Sequence, residues 1–125
     1  MTLSISEQFE LIESLINEVV KNQERYDKAS ETLSEQDLWQ SDERFAYYDE
    51  MSDAKAQMFL LKRKVCRHIN NLAALFGMDF GNFSTEYLSN IIKRLNTLKN
   101  IWIAMVKGAE SYGYQIELSE TIAEI

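Results

Sequence analysis

Proline is absent from these 125 residues and glycine occurs only four times, so almost nothing in the chain interrupts a helix. Cysteine and histidine occur once each, as Cys66 and His68. A single cysteine excludes an internal disulfide and any zinc site built on several thiolates. A single histidine leaves a serine–histidine–acid triad nowhere to form except around His68. There is no glycine-rich loop of the kind that cradles phosphate. The longest purely apolar run, residues 101–106, is far short of the roughly 20 residues that a membrane-spanning helix needs. The opening MTLSISEQFE has neither the basic stretch nor the apolar stretch of an export signal, which predicts a cytoplasmic protein.

What is plentiful is Leu, Ile, Glu, Lys, Gln and Ala, with 46% hydrophobic and 26% charged residues, the composition of a folded helical domain. Net charge is −7, but its distribution is uneven. Residues 1–57 carry 14 acids and 5 bases, residues 58–108 carry 2 and 8, and residues 109–125 carry 4 and 0. The acidic balance argues against nucleic acid as a partner, while the basic middle is a surface in search of negative charge.

Apolar residues recur at helical spacing in three stretches. The first, about residues 6–32, has Phe9, Ile12, Ile16, Val19, Val20 and Tyr26 on one side, with Ser6 placed to cap it. A polar connector follows, in which Leu38 and Trp39 can pin the chain to the body of the protein. The second stretch runs from Ser41 to Phe76 along Tyr47, Met51, Ala54, Met58, Leu61, Val65, Ile69 and Leu72, and Gly77 stands where a left-handed C-terminal cap belongs. After the loop GMDFGNF, Ser84 is placed to cap a third helix with the stripe Leu88, Ile91, Leu95, Leu98, Trp102, Met105 and Ala109, ended by Gly108 or Gly113. Residues 114–125 read as a short strand or a last helical turn. The prediction is a single all-α domain over residues 1–125, an antiparallel bundle of three long helices. A bundle of so few helices often completes its core by pairing with a second copy, so a homodimer is one expected state.

Several constellations bear on chemistry. Arg63 and His68 stand in an R-x4-H spacing that resembles the motif of HEPN ribonucleases, small helical domains that cleave RNA across a dimer; the resemblance implies these two residues as the catalytic pair. Five helical steps turn about 140°, so the two side chains do not converge within one copy. His68 with the following NNLAALFG is loosely similar to histidine phosphotransfer domains, which implies an exposed phosphoacceptor histidine, although the lysine–glycine pair of that family is replaced by Asn70, Asn71 and Leu72. Glu10 and Glu13, then Glu50 and Asp53, resemble the ExxE and ExxD pairs of MazG-type nucleotide pyrophosphohydrolases, and imply a Mg²⁺ site on neighbouring helices. Glu10 and Asp53, however, lie well away from the apolar stripes. Cys66 falls at the edge of the second stripe, where a small packed cysteine belongs.

The remaining constellation is basic. If the second and third helices fold back about residue 80, Lys62, Arg63, Lys64 and Arg67 approach Lys93, Arg94 and Lys99, with residue 67 beside residue 94. Like charges gathered in this way call for a negative partner surface. The reading is therefore a small acidic helical module with no cofactor that binds a protein partner stoichiometrically, in an inhibitor, immunity-type, antitoxin or adaptor role. Lys62, Arg63, Lys64, Arg67, Lys93, Arg94 and Lys99 are its partner-binding residues, and nucleic acid and membrane are not its partners. The alternative is a Mg²⁺-dependent nucleotide hydrolase using Glu10, Glu13, Glu50 and Asp53, and a third reading is the ribonuclease.

Overall fold

Ser4, not Ser6, opens the first helix. Its hydroxyl accepts the Glu7 backbone N–H at 3.1 Å while the Glu7 carboxylate accepts the Ser4 N–H at 3.3 Å, a reciprocal capping box. Ser6 has no acid three residues on and stays inside the helix. The computed structural model describes residues 3–36 and 42–111, and it contains three helices: α1 (Ile5–Glu35), α2 (Arg44–Leu75) and α3 (Leu88–Ser111). The expected anchors Leu38 and Trp39, the cap Ser41, the terminator Gly113 and residues 114–125 lie outside the described residues. The all-α bundle predicted from composition is what forms.

α1 and α2 pack closely along their length as an antiparallel hairpin. The predicted stripes supply the contact: Phe9, Ile12, Ile16 and Val19 on α1 and Ala54, Leu61, Val65, Ile69 and Leu72 on α2 are all buried. Ile91, Leu95 and Leu98 of α3 join the same core over the first half of α1. Beyond Val19 the hairpin continues as a two-helix arm, whose buried residues are Ala29, Leu33 and Ala54. Arg25 ties this arm together, donating to Glu50 at 2.7 Å and to Asp53 at 2.9 Å across the two helices.

α2 ends as the sequence predicts. Gly77 takes φ +72°, its N–H donates to the Ala74 carbonyl, and the Met78 N–H donates to the Ala73 carbonyl, which together form a Schellman motif. A Cβ at Gly77 would meet no atom within 4 Å, so the whole penalty for a side chain there is conformational. Gly77→Ala is expected to lower folding stability by about 1 kcal/mol in urea unfolding, with the slope unchanged.

The path after Gly77 departs from the simple fold-back. The loop returns along α2 rather than turning directly into a helix. Asn70 holds it: its amide donates to the Gly81 carbonyl at 2.7 Å and its oxygen accepts the Phe80 N–H at 3.3 Å. Asn82 then lies beside Cys66, and Ser84 reaches the level of Leu61. Ser84 does not cap α3. Its N–H and hydroxyl both donate to the Asn82 side-chain oxygen, at 3.1 and 2.9 Å, and α3 begins at Leu88 with the Tyr87 carbonyl accepting the first helical N–H groups.

Because the loop consumes this length, α3 starts near Val19, Val20 and Phe59 and runs past Ile16 to Glu13, where Lys99 pairs with the carboxylate. It is therefore antiparallel to α1 and parallel to α2. The expected neighbours 67 and 94 belong to a register that the returning loop forbids. Gly108 does not terminate α3, which continues to Ser111.

Candidate functional site

The returning loop and α2 enclose a groove of about 480 Å³ lined by Leu60, Leu61, Arg63, Lys64, Cys66, Arg67, Asn82 and Ser84, with Gln57 at one end. Three of the seven basic residues singled out from sequence meet here: Arg63, Lys64 and Arg67. Between Asp53 and Asp79, α2 and its cap contain no carboxylate at all, so no acid on their own helix answers these cations. Among the described residues, none of the three forms an ion pair. Arg63 instead lies 5.7 Å from the centre of the Phe59 ring.

The other four basic residues are placed elsewhere. Arg94 grips Glu86 through two hydrogen bonds, of 2.6 and 2.8 Å, and stacks 4.5 Å over the Phe83 ring. This pair holds the Glu86 carboxyl below the usual range and the Arg94 guanidinium above its own. Lys99 is paired with Glu13 on α1, and Lys93 is exposed on α3. Lys62 lines a second groove, of about 530 Å³, on the α1 side of the same loop. That groove is mostly apolar, walled by Val20, Met58, Phe59, Tyr87 and Leu88.

Phe59 and Leu60 sit on the shoulder between the two grooves and are half exposed, at 52% and 51%, while Tyr87 is 82% exposed. Core-stripe periodicity does not reveal these residues, because they fall off the core face. A signal was there to be read: residues 58–61 are Met-Phe-Leu-Leu, four consecutive apolar side chains on a helix that can bury only part of its circumference.

The four carboxylates resembling a nucleotide hydrolase do not assemble. Glu50 and Asp53 are both held by Arg25, and Glu13 by Lys99, about 18 Å apart along α1 at 1.5 Å per residue; Glu10 is exposed. Among the described residues there is no group of three acidic, histidine or cysteine side chains arranged to hold a metal ion. Cys66 is buried, its sulfur 3.9 Å from both Asn82 Oδ1 and Asn70 Nδ2, and its thiol faces the wall of the basic groove. No helix among the described residues is long and apolar enough to cross a membrane.

His68 is half-buried beside this groove without lining it. Partial burial, then the charges of Arg67 and Lys64, push its pKa below the usual value near 6.5. A histidine held neutral in the fold binds more protons once unfolded, so stability falls as pH drops through 6.5. The effect is complete only below the lowered pKa. His68→Gln is expected to flatten the urea midpoint between pH 7.5 and 5.5. An equally steep decline in the variant would assign that titration to another group.

The sequence matches no protein-family model, no curated protein and no solved structure. The groove and its charges are what remain to argue from.

Proposed function

We propose that this chain is a protein-binding module that acts stoichiometrically through the α2 shoulder formed by Phe59, Leu60, Arg63, Lys64 and Arg67. One observation carries the reading. Exposed apolar side chains and unanswered cations occur side by side on a rigid helix, where folding alone would favour neither. Aromatic residues and arginine are enriched at interface centres, and Phe59 and Arg63 supply one of each, side by side. The cations select an acidic partner surface and speed its encounter. An inhibitor, immunity-type, antitoxin or adaptor role is compatible with a compact module of this kind. Catalysis has less to support it, since the paired carboxylates are apart and His68 does not converge with Arg63.

The test begins with the tagged chain as bait in lysate of its native host, at 50 and 500 mM salt. A protein that co-elutes is identified by mass spectrometry, purified, and mixed with the chain for light scattering. The expected result is a complex of fixed stoichiometry that weakens with salt and is lost in Leu60→Ala/Arg63→Glu. A complex indifferent to both changes would place the interface elsewhere. Mg²⁺-dependent nucleotide hydrolysis by the purified chain would replace this reading with an enzymatic one.

A further inference from the structure

α2 carries a second apolar stripe on the side turned away from the core. At about 100° per residue, Phe45, Tyr48, Ser52, Ala56, Phe59 and Leu60 fall within about 60° of one line, and the buried Ala54, Leu61 and Val65 fall opposite it. All six are exposed, Phe45 at 54% and Tyr48 at 39%. The stripe runs on to Arg63, a span of about 27 Å from Phe45 at 1.5 Å per residue. The fold of one copy thus buries one face of this helix and leaves a second apolar face in water, the mark of an interaction site.

The order of side chains along the stripe matches it to a copy of itself. Ser52 and Ala56 stand two residues either side of Ala54, Tyr48 and Leu60 six residues either side, and Phe45 and Arg63 nine. A second α2 laid antiparallel, with the two-fold axis level with Ala54, sets Ser52 against Ala56, Tyr48 against Leu60 and the Phe45 ring against the Arg63 guanidinium. Small side chains fall at the centre, where the helices come closest, and large ones fall at the ends. Arg63 already lies by the Phe59 ring of its own copy, so a second ring extends that contact. Charge follows the same symmetry: Asp49 lies on the half that starts at Phe45, and Arg63 and Arg67 lie beyond Phe59. Antiparallel packing brings Asp49 within about one helical turn of the opposing Arg63, whereas a parallel pair would set like against like. The acidic partner proposed above uses the basic half alone and leaves Phe45, Tyr48 and Ser52 without a role.

We infer that two copies of the chain associate through the outward face of α2, packed antiparallel about a two-fold axis at Ala54. Because each copy contributes the same surface, the assembly closes as a dimer. One helix face about 10 Å wide and about 27 Å long is at the low end of specific interfaces, so the Kd is expected in the micromolar range. The inference goes beyond the binding reading and does not depend on it. The two share Phe59, Leu60 and Arg63, so a second copy and a partner compete for that end of the face.

The test follows the full-length chain by light scattering from about 1 to 500 µM. The wild type is expected to pass from monomer to dimer. Ser52→Arg, which places two cations near the axis, should weaken the dimer by roughly tenfold or more, while Ser52→Ala should retain it. Circular dichroism checks that both variants keep their helices. Asp49→Arg and Arg63→Asp should each weaken the dimer, and an equimolar mixture of the two should recover it, because every cross-copy contact again joins opposite charges. The dimer also gives the arm an outer wall, so amides of residues 46–56 should exchange more slowly at the top of the series than at its foot.

A monomer throughout overturns the inference. So does a dimer indifferent to Ser52→Arg, a mixture no tighter than its components, or exchange that ignores concentration. Ser52 lies outside the shoulder, which keeps the two readings separable. If the wild type is monomeric and Leu60→Ala/Arg63→Glu still abolishes partner capture, the dimer is wrong and the binding reading stands. If Ser52→Arg breaks the dimer but capture ignores the shoulder variant, the dimer stands and the binding reading fails.

Discussion

Replacing Phe83 by alanine is expected to lower folding stability by about 3–5 kcal/mol, the usual cost of truncating a buried aromatic side chain. Phe83 is 1% exposed and is the fully buried apolar residue of the returning loop in the main core, with Met78 and Phe80 packed partly buried against it. Phe80 meets it edge to face, at 6.2 Å between ring centres. Arg94 lies over its other side, held in turn by Glu86. Deleting the ring thus removes a core side chain, a ring contact and the platform under an ion pair. A domain of this size has about 5–15 kcal/mol of stability in all, so the variant should melt tens of degrees lower or fail to fold. Phe83→Leu, which keeps most of the volume, is the informative companion. It should retain the fold while loosening Asn82 and Ser84, the loop side of the basic groove. Thermal unfolding checks the first expectation, and amide exchange at residues 80–86 checks the second.

Arg67→Glu is expected to act in opposite directions on folding and on binding. Arg63 and Arg67 are four residues apart on α2, and Lys64 is three from Arg67, so the wild type stacks like charges along one helix face. Reversing Arg67 converts two repulsions into attractions, a gain of about 0.3–0.5 kcal/mol per pair at low salt. The His68 pKa should rise part of the way toward its ordinary value, since burial holds it down first and the Arg67 charge second. On the binding function proposed above, capture of the acidic partner should fall about a hundredfold, the effect of placing a negative charge against a negative surface. Urea unfolding, the histidine C2-proton titration and a binding isotherm measure the three quantities separately. A variant that loses stability and binding together would show that Arg67 is structural, and the trade between stability and function would not apply.

The helices and their buried stripes were legible in the sequence because both rest on local periodicity. Gly77 was legible for the same reason, since a left-handed cap is a local demand. The return of the loop was not. It depends on Asn70, a polar residue within a helix that reads as surface, and on Phe83, which reads as one more loop aromatic. Neither announces that its partners are 10 or more residues away in sequence, at Phe80 and Gly81 or on α3. Without that path, periodicity alone puts α3 in the wrong register and gathers the seven basic residues into one cluster. Three of them do converge, because they lie on a single helix whose geometry the sequence already determined. Arg94 and Lys99 have acidic partners that could be identified only after the loop and α3 were placed. Leu60 and Phe59 were overlooked for a different reason: a search for the core stripe discards apolar residues that fall off it.

The two-helix arm has a consequence for how the molecule opens. Among the described residues its fully buried side chains are two alanines and one leucine, which remove less apolar surface from water than the large side chains of the other half. The half of the hairpin under α3 buries Ile, Val, Leu and Phe side chains from three directions. Amide protons of residues 22–32 and 46–56 should therefore exchange with solvent deuterium through a smaller opening free energy than those of residues 61–73 and 91–98. Salt, by screening the ties from Arg25 to Glu50 and Asp53, should widen that gap. The protein is expected to unzip from the arm inward, with the three-helix half as the last part to let go.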